Sequence, residues 1–360
     1  MAIDVGTKIA VVGASARAAV FSLLRAKRQV AAADLFADAD LARHCPAMRI
    51  SPYPEGFFDW LAETECVNWL YTGALENSPA LVDRLSRSQF LLGRTLLGHA
   101  GDVLRRVRDP LELQAVLTRA DLQFPETIAA AGKQINNAWL GKTYSGSSGS
   151  GVGVIDGATY LQRRVEGLPL SAVFRGSQLL GVTRQLVGEM WAGASEYQYC
   201  GSIAPWALSW ECERQVQRLG EVLREEFGLT ELYGVDLMQD GDQLWTLEVN
   251  PRYTASVEIV ERAYGISVFG SIEEQRPSHC VGKAVLFAKA PLVISAEINL
   301  SLMQQAGGIA WPEIADIPVT GTAIAVGQPV LTLFAEAESC EAVAMRLRER
   351  VVEIERLLRD

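Results

Sequence analysis

The chain has 360 residues, 49% of them apolar, and carries 43 acidic against 33 basic residues for a net charge of −10. That length allows two or three domains of about 100–200 residues each, and the apolar content allows large cores and excludes a disordered chain. The acidic balance excludes a nucleic-acid partner, whose phosphates demand a basic surface.

Residues 8–12 are a β-rich run, closed by Gly13-Ala14-Ser15-Ala16-Arg17 and an Ala/Leu-rich helix to about Lys27. A strand, a small-residue turn and a helix N-terminus can hold an anion on free N–H groups. The full G-x-G-x-x-G is missing, so the segment predicts the opening of an α/β domain rather than a dinucleotide site. Strand 29–33 leads to Asp34, Asp38 and Asp40. At the carboxyl end of a parallel strand such groups either line the sheet's crevice or cap the next helix. A helix over 57–63 and a strand over 67–71 follow. The next loop carries Glu76 and Asn77 on the substrate side, and a helix opens at Pro79 behind a Ser78 cap. This alternation predicts an open parallel-sheet domain over residues 1–95.

Residues 94–108 read as a polar, basic linker with a helix, and 111–119 as another helix. Trp139-Leu140-Gly141-Lys142 then leads into TYSGSSGSGVG. Glycine and serine free the backbone to wrap an anion with its N–H groups, and Lys142 supplies a mobile cation beside it. A loose linker seldom sits between an apolar strand end and another strand, here 160–165. Residues 171–175 and 178–185 read as paired strands, the second closing on Arg184 and Gln185. Residues 189–202 read as a loop over the site, and 206–227 as a long amphipathic helix.

The stretch ELYGVDLMQDGDQLWTLEVNPRYTAS, residues 231–256, reads as a hairpin turning at Asp240-Gly241-Asp242. Side chains alternate along a strand, so Thr246, Glu248 and Asn250 are expected on one face. A carboxylate and an amide oxygen on a rigid strand suit a hard cation such as Mg²⁺. Asp236 joins them only in the right register: a three-residue loop places it near Thr246, on the face of Glu248, and a two-residue loop turns it away. Pro251 stops the strand, and Arg252 is a fixed charge suited to phosphate. Beyond it come a helix over 257–264, a strand over 282–289 and a hairpin of 322–325 with 330–335. A final helix over 341–358 carries an apolar stripe that packs on the body or on a second subunit. No internal repeat is evident.

The six cysteines (45, 66, 200, 212, 280 and 340) are scattered without a C-x-x-C pair. This fits a reducing cytosol rather than a disulfide framework or a zinc site. No apolar run is long enough to span a membrane, and MAIDVGTKIAVVG enters a strand directly instead of forming a signal peptide; the expected location is cytoplasmic. Of the three histidines, His44 and His279 adjoin cysteines in the chain, where base and nucleophile seldom face each other, so a histidine-activated nucleophile is not expected.

Taken together, the Glu248-Val249-Asn250-Pro251-Arg252 strand end with Asp236, Lys142 before its Gly/Ser loop, and YLQRRVEG at 160–167 resemble the ATP-grasp ligases. The resemblance implies an α/β and α+β fold: an N-terminal open parallel sheet (1–95), a two-lobed ATP-grasp module and a small C-terminal β subdomain. The module divides into a linker with a small lobe (96–160) and a large lobe (161–275), with the β subdomain and terminal helix at 276–360. It also implies ATP and Mg²⁺, for which Mn²⁺ can substitute, as cofactors, and a small carboxylate with an amine or similar nucleophile as substrates. Asp236, Glu248 and Asn250 would hold metal, with Lys142 and Arg252 catalytic. Lys142, Ser147, Gly149 and Gly151 would meet phosphate, with Arg184 and Gln185 near it, while Gln162, Arg163, Val165 and Glu166 would form the hinge that meets adenine and ribose. Two departures stand out. Thr143 replaces a common proline, and Asp109-Pro110-Leu111-Glu112 lacks the family's earlier phosphate lysine, leaving Arg105, Arg106 or Arg108 to replace it. The run GASARAAVFSLLRAKRQVAAADLFADADL with YTGALEN is similar to a subgroup linked to tetrahydromethanopterin-dependent one-carbon metabolism, which implies cofactor biosynthesis. A kinase or carboxylase on the same scaffold, a non-catalytic nucleotide sensor and an NAD enzyme built on Gly13 are the competing readings.

Overall fold

The computed structural model describes residues 7–88, 93–130, 138–144, 146, 152–153, 157–270, 272, 277 and 279–359. The chain opens with β1 (Lys8–Val12), α1 (Arg17–Arg25), β2 (Gln29–Asp34), α2 (Ala39–Ala42), β3 (Ala47–Arg49), α3 (Phe57–Glu63) and β4 (Asn68–Tyr71). A 3₁₀ turn (Leu75–Asn77), α4 (Pro79–Arg87) and β5 (Thr95–Leu96) follow. The five strands form one all-parallel sheet in the order β3-β2-β1-β4-β5. Ile9 and Val11 pack in one core cluster and Ala10 and Val12 in another. A parallel sheet covered on both faces needs such an unbroken apolar strand. Gly13 sits where a Cβ would stand 2.1 Å from Thr72 Oγ1, so β1 can abut β4 only through glycine.

After β1, two N–H groups that could have held an anion are taken by the chain itself. Ala16 N–H donates to Asp34 Oδ2 at 2.9 Å and Ala14 N–H to the Gly73 carbonyl at 2.6 Å. Asp40 accepts from the Asp316 and Ile317 N–H groups, each at 3.0 Å, which ties this unit to the C-terminal third. Ser78 makes no side-chain cap on α4.

Helices α5 (Gly101–Val107) and α6 (Pro110–Arg119) come next, the latter capped by Asp109. Strands β6 (Thr127–Ala129), β7 (Trp139–Lys142) and β8 (Tyr160–Arg163) form a small antiparallel sheet in the order β6-β8-β7. The remaining elements are β9 (Leu168–Arg175), β10 (Gln178–Val187), β11 (Tyr199–Ala204), α7 (Trp210–Phe227), β12 (Leu232–Asp240), β13 (Gln243–Asn250), α8 (Ala255–Tyr264), β14 (Cys280–Phe287), β15 (Leu292–Val293), α9 (Ala296–Gln305), β16 (Ile314–Ala315), β17 (Ala323–Ile324), β18 (Pro329–Ala337) and α10 (Cys340–Leu357). Eight of the strands make one antiparallel sheet, β13-β12-β9-β10-β11-β14-β18-β16. Leu170, Ala172 and Phe174 of β9 face a core shared with α6 and α7, whereas Val173 faces the cluster shared with α1 and α8.

The hairpin expected over 322–335 does not form. β17 pairs with β15, and β18 instead extends the large sheet beside β14. Helix α10 buries Val343, Leu347, Val351 and Ile354 against the body of the chain. Among the described residues no helix is long and apolar enough to cross a membrane.

Candidate nucleotide and metal site

A cleft of about 600 Å³ opens between the small sheet, the large sheet and the start of α8. Its acidic wall is the β12–β13 hairpin. The turn has two residues, since Asp240 pairs with Gln243, and a regular ladder would then turn Asp236 away from Glu248. A β-bulge at Leu247 absorbs one residue: Leu237 pairs with Thr246, and Asp236 pairs with Glu248. The bulge also corrects the expected face of Thr246, which is buried opposite Leu237 while Leu247 and Glu248 line the cleft.

Asn250 bridges the two acids. Its Nδ2 donates to Asp236 Oδ2 at 3.0 Å and to Glu248 Oε1 at 3.2 Å, and its Oδ1 accepts from Arg252 Nη2 at 3.3 Å. Gln185 Nε2 donates to Asp236 Oδ1 at 2.8 Å. Burial, and then the charge of Glu248, push the Asp236 carboxyl up to about 7. Burial also opposes ionisation of Glu248, but Arg108 and Lys142 outweigh it and hold that carboxyl below its ordinary value. Among the described residues no cluster of three His, Cys, Asp or Glu side chains forms a metal site. The set here is two carboxylates and an amide, and a half-turn of that amide presents its oxygen to the pair. Three oxygen donors on rigid strands, with more negative charge than one amide neutralises, fit a hard cation.

The basic wall faces this one. Lys142 Nζ donates to Gln162 Oε1 at 2.6 Å. Burial lowers the Lys142 ammonium, against the pull of Glu248 and Asp236. Gln162 is buried and also reaches Thr127 Oγ1, so it orients Lys142 and does not line the cleft itself. Of the three candidate arginines only Arg108 lines the cleft; Arg105 pairs with Asp83 and Arg106 with Glu112. Arg108 Nη2 donates to Asn77 Oδ1 at 2.9 Å, to the Tyr144 carbonyl at 3.3 Å and to the Gly146 carbonyl at 3.5 Å.

The remaining expectations divide. Val165 and Glu166 lie on the cleft wall. The Arg163 side chain points out, 3.6 Å from Glu126, and the N–H groups of Arg163 and Arg164 are bound to the Glu126 and Ala138 carbonyls. Of residues 163–165, this leaves the Val165 N–H for a ligand edge. Ser147, Gly149 and Gly151 lie outside the described residues. Arg184 does not line the cleft; it lies near Cys340, under α10. Residues 199–202 belong to β11 rather than to a loop, although Glu196, Tyr197 and Tyr199 do line the cleft.

The loop after β4 grips the site from the parallel sheet. Glu76 Oε1 accepts from Arg252 Nε at 2.5 Å, Asn77 holds Arg108, and Thr72 bridges to Tyr253. Among the described residues Glu76 Oε2 is buried with no hydrogen-bond partner. His99 was not singled out in the sequence. Its Nε2 accepts from the Glu231 N–H at 3.3 Å, so its Nδ1–H donates to the Pro251 carbonyl at 3.1 Å and pins the turn before Arg252. Nothing near His99 in the sequence marks that role, because its partners lie more than a hundred residues away.

Residues 107–256 match the ATP-grasp domain family. No curated protein matches the chain. Among solved structures, the ADP complex of an N5-carboxyaminoimidazole ribonucleotide synthetase superposes with a TM-score of 0.71 at 14% identity, covering 99% of this chain and 98% of that one. An L-amino acid ligase from Bacillus licheniformis gives 0.69 at 12%, covering 97% of each chain. The biotin carboxylase domain of the Hydrogenobacter thermophilus 2-oxoglutarate carboxylase gives 0.70 at 16%, covering 94% of this chain and 88% of that one. At such identities the likeness is one of fold.

Proposed function

The chain is a member of the ATP-grasp superfamily, with its ATP-grasp domain at residues 107–256, and from that premise we propose that it is an ATP- and Mg²⁺-dependent carboxylate ligase. The observation that carries the reading is the pairing of Asp236 with Glu248 across a bulge, in one cleft with Lys142, Arg108 and Arg252. Opposed carboxylates and cations in a recessed site suit a metal–triphosphate, and folds of this kind include an L-amino acid ligase and an ADP-bound synthetase.

A carboxylate carbon is a poor electrophile and its oxygen a poor leaving group. Transfer of the γ-phosphoryl to that oxygen gives an acyl phosphate, from which an amine or similar nucleophile expels phosphate. Mg²⁺, or Mn²⁺ in its place, held by Asp236, Glu248 and Asn250, would neutralise charge on the moving phosphoryl group. Lys142 and Arg108 bind the triphosphate from the opposite wall, and Arg252, fixed by Glu76, orients the acid and offsets its developing charge. Val165 and Glu166 meet the base and ribose. No protein nucleophile is needed, and among the described residues no cysteine or histidine lines the cleft.

The test is phosphate release from ATP with acid and amine supplied together and separately. The ligase reading expects release only with both, and loss of metal-dependent turnover in Glu248→Gln with the fold intact. Turnover at the wild-type rate in that variant would refute the metal assignment, and phosphate release dependent on bicarbonate would point to a carboxylase. Tight ATP binding without turnover on any acid would indicate a sensor. On the N-terminal run and the YTGALEN segment we place the acid among cofactor precursors of tetrahydromethanopterin-linked metabolism, and such precursors are the first acids to assay.

A further inference from the structure

Behind the large sheet, away from the cleft, two thiols meet. Cys280 opens β14 and Cys340 opens α10; they are 60 residues apart in sequence, and their sulfurs stand 3.5 Å from each other. β-pairing brings them together. Cys280 lies opposite Ala337 at the end of β18, and the chain turns through the Ser339 cap to place Cys340 in the first turn of α10. Cys340 also contacts the Pro205 carbonyl at 3.5 Å. If its S–H donates there, the Cys280 S–H points at the Cys340 sulfur. Burial and then the Cys280 contact push the Cys340 thiol up to about 12, against the pull of Arg184. Among the described residues the buried Arg184 Nε has no hydrogen-bond partner. Cys280 is partly exposed and Cys340 buried, so a small oxidant reaches Cys280 first.

We propose that Cys280 and Cys340 are an oxidisable dithiol, a modification site that closes to an intramolecular disulfide under peroxide. The sulfurs need to close by about 1.5 Å to reach the bonding distance of about 2.05 Å. In the first step the Cys280 sulfur attacks a peroxide oxygen, which breaks the O–O bond and gives a sulfenic acid and one water. In the second, the Cys340 sulfur attacks the sulfenic sulfur; its proton leaves with the hydroxyl group as a second water, and the S–S bond forms. Two thiols are oxidised by two electrons and one hydrogen peroxide is reduced to two waters. In a reducing compartment such a pair acts as a reversible sensor rather than a permanent staple. The bond ties the start of α10 to β14. With 60 residues between the sulfurs, closure raises the thermal midpoint by roughly 5 °C.

The experiment treats the full-length protein with hydrogen peroxide under conditions that oxidise glutathione, then counts thiols after denaturation and maps peptides. The wild type is expected to fall from six free thiols to four, to yield a linked Cys280–Cys340 peptide, to run as a monomer on a non-reducing gel and to recover all six with dithiothreitol. Cys280→Ser and Cys340→Ser each keep their five thiols, and neither gains thermal stability on oxidation. Six thiols remaining in the wild type, a bond mapped to another pair, a linkage between two molecules, or equal thiol loss in Cys280→Ser overturns the proposal.

Discussion

Arg108 lines the cleft just before Asp109-Pro110-Leu111-Glu112, where the family resemblance implies a lysine that the sequence lacks. Arg108→Ala removes the cation that, with Lys142, holds Glu248 ionised, and removes the bonds to Asn77, Tyr144 and Gly146. A hydrogen bond to a charged group contributes about 1.5–3 kcal/mol. At about 1.4 kcal/mol per tenfold, the affinity for MgATP should fall about 10- to 100-fold. Titration calorimetry with a non-hydrolysable ATP analogue and Mg²⁺ reads this without any knowledge of the acid substrate. Arg108→Lys should recover most of the loss, because a lysine's charge serves the same phosphates. Arg105→Ala and Arg106→Ala should stay within about twofold, since their partners Asp83 and Glu112 lie outside the cleft. If Arg108→Ala binds as the wild type does, or if all three variants weaken equally, Arg108 does not replace the missing lysine.

Three further outcomes follow from the same geometry. Glu76→Gln keeps the shape but not the charge opposite Arg252; turnover should fall at least tenfold and MgATP affinity much less, and an equal loss of both would show that Glu76 supports the fold alone. Glu258→Gln leaves the buried Lys283 without its carboxylate and the buried Arg17 with Asp316 alone, at about 3–5 kcal/mol by urea unfolding near pH 7. Because those cations hold the folded Glu258 at about 2 against an ordinary 4.5, its stabilisation is fully present above pH 4.5 and is lost as the pH falls through 2, so the gap between variant and wild type should close over that window. Gly234→Ala would set a Cβ 2.6 Å from the Thr254 Cγ2; overpacking of this kind costs about 1–3 kcal/mol, read as a lower midpoint in urea.

The parallel sheet was legible because its strands are unbroken apolar runs set between helix starts, and 8–12 and 57–63 read as they fold. The strand positions of Lys142, Glu248 and Asn250 were legible because their spacing is local. The register that brings Asp236 to Glu248 was not, because the bulge at Leu247 is decided by packing rather than by any turn residue. The pairing of β18 with β14 was equally hidden: Val326-Gly327-Gln328-Pro329 has good hairpin chemistry, but the longer partner strand buries more apolar surface. Arg108 was one of three equivalent arginines in the sequence, and its long-range contacts with Asn77, Tyr144 and Gly146 separate it from the others.

Adjacent residues of one short loop, Glu76 and Asn77, each hold an arginine of the cleft. The parallel-sheet unit is therefore no detachable accessory to the cleft. A chimera that exchanged residues before 107 to import another acid preference would disturb both cleft arginines, and with them the proposed grip on triphosphate, in the same stroke. Divergence in what such an enzyme joins has to pass through sequences that keep this loop, or that rebuild both arginine contacts together.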